Sequence, residues 1–165
     1  MRGVNLTSVN RILLLGCVFF AASCGPSTPS LGALQRDSAA AIRMRDVVEL
    51  GHFSDDARTT LEGPQPAFDS RVFGTQATDD AVRSFYDGEL QRLGWQSDRL
   101  AGVMTTVELA AWGWCKGAMV FRVGIEDQPR AFKPDFYRGQ TFRTVFEAAI
   151  QGRDPGLGCP ERPVK

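Results

Sequence analysis

The sequence predicts an α+β domain: an antiparallel sheet of about four to five strands with one main helix packed on one face. Three observations lead there. Residues 78–95, TDDAVRSFYDGELQRLGW, carry a single helical stripe. Residues 118–126 and 141–150 alternate apolar and polar with the period of a strand. The chain has 165 residues, 43% of them hydrophobic and 23% charged, which suits one globular domain and not two.

The helix is the clearest element. Thr78 is a favourable N-cap, since its hydroxyl can accept from a free amide of the first turn. Asp79 and Asp80 place negative charge at the positive end of the helix dipole. Val82, Phe85, Tyr86, Leu90 and Leu93 recur at spacings of three and four, opposite Arg83, Asp87 and Gln91. Gly94 suits the left-handed position past the last turn, and Trp95 follows to fold back on Leu90 in a Schellman stop. Glu89 projects on the apolar side between Phe85 and Leu93, with Arg92 in reach as an ion-pair partner.

The other elements are weaker. Residues 34–50 are read as helix on the alanine run 39–41, although Arg43, Arg45 and Asp46 break the stripe. Residues 58–61 and 68–75 are read as strands around the turn-rich 62–66. Residues 97–103 are a loop or weak strand. The segment 103–114 is open: Thr105 and Glu108 could box a short helix, or Val107 and Leu109 could lie on a strand. In 118–126, Met119, Phe121, Val123 and Ile125 share one face. In 141–150 that face carries Phe142, Thr144, Phe146, Ala148 and Ile150. Antiparallel pairing with Phe121 opposite Phe146 sets Arg122 diagonal to Glu147 on a face expected to be wet. The connection 127–140 is long for a hairpin, and Phe132, Phe136 and Tyr137 lie in it.

The N-terminus supplies an address. Arg2 and Arg11 form a basic region, and residues 12–22 are an apolar run. A membrane-crossing helix needs about 20 apolar residues, so this run is a signal-peptide core. Ala21-Ala22-Ser23-Cys24 resembles the lipobox of bacterial lipoprotein signal peptides, with Ala21 where that family usually has Leu. The resemblance implies a diacylglycerol on the Cys24 thiol, cleavage before Cys24 and acylation, such as with palmitate, of the new amino end. Leu14-Leu15-Gly16-Cys17 fits the local pattern better but would leave an apolar core too short to engage the bilayer. With Gly25 rather than Asp after the anchor, the resemblance implies the outer membrane if the cell has one, and otherwise the cell surface. The expected organisation is residues 1–23 as signal peptide, 24–33 as lipidated cysteine and flexible tether, and 34–165 as a single domain.

Cys115 and Cys159 then remain, and an even pair in an exported protein is most simply a disulfide. They lie at the same open end of the proposed hairpin and would also hold the irregular tail 156–160.

Phe85-Tyr86, Leu90 and Gly94-Trp95, followed by Trp114-Cys115-Lys116-Gly117 and an alternating strand, resemble a group of small bacterial lipoproteins and secreted proteins of uncharacterised role. The resemblance covers about the second half of the chain. It implies a fold and an extracytoplasmic setting, and carries over no activity and no functional residue.

Formal net charge is zero; without Arg2 and Arg11, 17 basic residues face 19 acidic ones. That lacks the basic footprint of a nucleic-acid binder, so no nucleic-acid partner is expected. His52 is the only histidine, and no second His or clustered Cys sits at metal spacing. No metal, cofactor or catalytic residue is expected. The leading reading is a lipid-anchored interaction or structural module of the cell envelope, held to the bilayer through Cys24 and facing an envelope protein partner. The alternative is a lipoprotein that binds a small apolar or glycan ligand against Trp112, Trp114 and Tyr137. A third is an enzyme built on carboxylates, with Glu89 the first suspect.

Overall fold

Six strands form one antiparallel sheet in the order β1-β4-β8-β7-β6-β5, and a two-stranded hairpin, β2–β3, stands beside it. The strands are β1 Val48–Asp55, β2 Arg58–Thr60, β3 Gly63–Gln65, β4 Phe68–Thr75, β5 Gln96–Ser97, β6 Glu108–Lys116, β7 Met119–Glu126 and β8 Thr144–Gly152. Two helices, α1 Leu31–Arg36 and α2 Asp79–Arg92, lie with the 3-10 turn Ser38–Ala41 on one face. This computed structural model describes residues 28–61, 63–102, 108–127, 134–137, 139–153 and 159. The fold is the expected α+β class, with six strands in the main sheet rather than four or five.

Helix α2 ends as its sequence predicts. Thr78 Oγ1 accepts from the Ala81 amide at 3.2 Å. At the other end Gly94 has φ 82°, the Trp95 amide donates to Leu90 O at 2.9 Å, and the Gly94 amide donates to Gln91 O at 3.0 Å. That is the paired bonding of a Schellman stop. Val82, Tyr86 and Leu90 are fully buried. Burying Val82 and Leu90 contributes about 1.5–3 kcal/mol each, which offsets the poor helix propensity of Gly88. Tyr86 packs its ring on Phe121 and Phe146, and Trp95 packs edge-on against Phe121.

The region read as one helix over 34–50 is three elements. Asp37 ends α1, and its side chain accepts from the Ala39 amide at 2.9 Å to start the 3-10 turn. A short acid that bonds the backbone locally competes with helix continuation. Asp46 then takes the left-handed conformation at φ 58°, and β1 follows. Alanine content misled here because edge pairing with β4 decided the conformation of residues 48–55. Residues 63–65, expected as turn, are strand β3, so β2 pairs with β3 and not with β4. The open segment 103–114 is strand β6 from Glu108 onward. Ordered structure also starts before residue 34: Ser30 caps α1, accepting from the Ala33 amide.

Strands β7 and β8 pair antiparallel, but Phe121 faces Ile150 and Ile125 faces Phe146. The register differs from the expected one by four residues. An even shift keeps strand side chains on their faces, so the apolar stripes of the two strands still meet under α2. Phe142, expected on that stripe, precedes β8 and packs on the opposite face. The opposite face is not wet. Leu50, Val72 and Val145 are buried there, with Phe136, Tyr137 and Phe142 from the β7–β8 connection packed on them. A Cβ on Gly74 would collide with the Phe142 ring, so this glycine is what lets Phe142 lie on β4.

The two ends of the sheet differ. One end holds Asp55, Phe68, Lys116, Met119 and Gly152, with the disulfide, the hairpin and the entry of the chain at Thr28. The other holds Glu108, Glu126, Thr144 and the start of α2.

Candidate functional site

The second face of the sheet brings together carboxylates that lie far apart in the chain. Alternation puts Arg122, Gly124 and Glu126 of β7 on that face, opposite the Val123 and Ile125 side. Register sets Glu147 of β8 across from Gly124. On β6 an irregularity between Glu108 and Ala110 sets Glu108 opposite Glu126, while Leu109 is left exposed. A Cβ on Gly124 would overlap the Glu108 carboxylate. Glycine there is therefore the condition for the cluster: carboxylate oxygens of Glu108, Glu126 and Glu147 all lie within 4.8 Å of one another.

Two of the three acids are partnered. Arg122 donates to Glu108, whose side chain is 1% exposed. The Ser70 hydroxyl donates to Glu147. Glu126 is 6% exposed, and its carboxyl is pushed up to about 7. Burial is the main cause, the charges of Glu108 and Glu147 add to it, and Arg122 opposes them. Tyr137, close enough to feel Glu126 and Asp127, has its phenol raised as well, chiefly by burial.

Glu126 also lines an open groove of about 360 Å³ with Asp79, Arg143 and Thr144. The nearby hydroxyls are committed. Thr144 Oγ1 is 2.9 Å from Ala77 O and 2.7 Å from Asp79 Oδ1, and Ser70 serves Glu147. The arrangement can hold one proton near neutral pH. Three carboxylates at this spacing could also hold a hard divalent cation through oxygen, and Arg122 already supplies positive charge inside the cluster.

The residues singled out in the sequence fall elsewhere. Cys24 lies outside the described residues. Cys115 and Cys159 form a disulfide with Cα atoms 5.7 Å apart, at the end of the sheet where the chain enters. Trp114 is buried under α2, its indole N–H donating to Asp87 Oδ1 at 3.0 Å. Trp112 is half-buried on the same side, with the Arg83 guanidinium 5.6 Å from its ring centre. Tyr137 packs on the opposite face beside Phe136. The fold does not bring these three aromatics onto one surface. Glu89 pairs with Arg92 at 2.6 Å, and His52 Nε2 lies 2.5 Å from Asp69 Oδ1. Near the disulfide, the buried pair Asp98–Arg153 joins at 2.6 Å with side chains 1% and 8% exposed.

Sequence reasoning passed over Glu108, Glu126 and Glu147. The alternation of β7 and the diagonal of Glu147 were visible; the missing signal was that 108–116 is a strand and that this face is covered. Compared with known proteins, the chain matches no family model, no curated protein and no solved structure. Among the described residues, no helix is long and apolar enough to cross a membrane.

Proposed function

We propose that this chain is a lipid-anchored, extracytoplasmic interaction module of the bacterial cell envelope, with no catalytic activity of its own. The reading is carried by the position of Thr28. Only three residues lie between Cys24 and Thr28, and Thr28 packs against Gly152 at one end of the sheet. A lipid on Cys24 would thus hold one end of a rigid domain close to the bilayer. Two or three acyl chains make such attachment effectively permanent, since each buried methylene contributes about 0.8 kcal/mol. The disulfide supports the same setting, because such bonds persist in oxidising compartments and are rare in the cytosol.

The non-catalytic part rests on how much of the acidic cluster is compensated from within. Arg122 neutralises Glu108 and Ser70 serves Glu147. Glu126 keeps its proton alone, and the hydroxyl that shares its groove, Thr144, is bonded to Ala77 and Asp79. The groove beside Glu126, with Asp79, Arg143 and Thr144 on its wall, offers charged and hydrogen-bonding groups to a partner protein at the far end from the anchor. Mass spectrometry of the mature protein extracted from membranes tests the anchor. The expected N-terminal residue is Cys24 carrying diacylglycerol, and Cys24→Ala should release the protein from the membrane fraction. An unmodified amino end at any other residue overturns the proposal.

A further inference from the structure

The hairpin β2–β3 leaves the sheet between β1 and β4, just beyond the last pair, Asp55 with Phe68. At its tip Leu61 is 108% exposed, wholly clear of the fold. Single exposed leucines are ordinary on protein surfaces. This one is set apart by its neighbour. One carboxylate oxygen, Asp56 Oδ1, accepts from the Leu31 amide at 3.1 Å and from the Ala57 amide at 2.9 Å. The first residue of α1 and the base of the hairpin therefore hang on the same atom, and those two bonds hold the Asp56 carboxyl below its ordinary range. Thr28 and Pro66 both stand over Gly152. Thr28 shares a groove of about 580 Å³ with Arg58, Thr59, Pro64 and Gln65 of the hairpin. The chain that leads back to Cys24 thus starts alongside the hairpin.

The reach of the two segments is the same. Four residues from Thr28 to Cys24 span at most about 14 Å when fully extended. Four residues from Ala57 to Leu61 cover about 13 Å along a strand. A bilayer that holds the acyl chains of Cys24 therefore lies within reach of the Leu61 side chain.

Charge agrees with this orientation. At the hairpin end Arg58 pairs with Asp55, Lys116 with Asp37 and Arg153 with Asp98. At the other end the carboxylates Glu108, Glu126 and Glu147 cluster around Arg122. Asp56 and, in the sequence between β2 and β3, Glu62 add two carboxylates at the hairpin end, while Asp79 and Asp127 add to the cluster at the other. An anionic lipid surface therefore repels the clustered end more than the largely paired one.

We infer that the β2–β3 hairpin is the membrane-facing edge of the domain, with Leu61 seated in the lipid interface beside the anchor. This rests on acylation of Cys24. One leucine does not hold a protein on a membrane, but the anchor makes its insertion intramolecular, so it selects an orientation instead of supplying affinity. The acidic end and its groove are then turned outward.

The test uses the full, processed lipoprotein in vesicles of phosphatidylethanolamine and phosphatidylglycerol with brominated acyl chains. Leu61→Trp and Leu109→Trp are compared with the parent protein. Both side chains are exposed, and Leu109 marks the far end of β6. The added fluorescence of Leu61→Trp should shift to the blue and be largely lost to bromine, while that of Leu109→Trp should match vesicles without bromine. Vesicle-bound protein whose added Trp is unquenched at position 61, or equally quenched at both positions, overturns the orientation and leaves the anchor standing. Failure of the protein to float with vesicles, together with an N-terminus lacking diacylglycerol, overturns both.

Discussion

Replacing Glu126 by Gln should stabilise the protein, and only above acidic pH. The carboxyl ordinarily titrates at 4.5 and is pushed up to about 7 in the fold. Its folded state therefore holds a proton that the unfolded chain has already released. In that interval the folded state binds more protons, so stability falls as pH rises. The contribution is fully present below about 4.5 and is lost as pH rises through about 7. A difference of that size corresponds to about 3 kcal/mol, and contact of the carboxylate with the open groove trims it to about 2 kcal/mol. Gln keeps the volume and removes the titration. The assay is urea unfolding of parent and Glu126→Gln between about pH 4 and pH 8 with the disulfide intact. The variant should match the parent at the acid end and exceed it by about 2 kcal/mol at the alkaline end. Every other titrating group is common to both proteins, so their difference isolates Glu126. A difference that stays constant across the range would show that the cluster does not hold this proton.

Two further outcomes follow from packing. Replacing both Cys115 and Cys159 by Ser opens a loop of 44 residues and should lower stability by about 2–4 kcal/mol, read from the urea midpoint. Asp98→Ala leaves the Arg153 guanidinium buried without its partner and should destabilise by about 3–5 kcal/mol; the double variant Asp98→Ala/Arg153→Met should recover part of that loss in thermal unfolding.

Local signals were read correctly where one short segment carries the whole cause. The caps of α2 need only Thr78, Gly94 and Trp95, all within or beside the helix. The strand β7 declares itself by alternation of its own residues. Pairing between β7 and β8 needed two segments: the direction and the apolar face of each strand were right, the register was off by four, and the face expected to be wet is covered, with Phe142 on it. Side-chain period two cannot distinguish even shifts; the covering aromatics and the return of β4 on the other side of β8 select among them. The edge strand β1 was missed for the same reason, since its conformation comes from pairing with β4 and not from its own residues. The acidic cluster needed three strands, a bulge at Leu109 and a bare Gly124 at once.

By itself the amino-acid sequence determined the fold class, the main helix with both its ends, the central strand and which two cysteines join. The helix and the strand depend on neighbours in the chain, where spacing alone brings side chains onto one face; the cysteine pair, 44 residues apart, was reached by counting cysteines. Tertiary structure alone decided the six-strand order, the burial of the second face, the meeting of Glu108, Glu126 and Glu147, and the exit of the chain beside the hairpin. Each of those depends on contacts between residues distant in sequence, and such contacts leave no mark in any single segment.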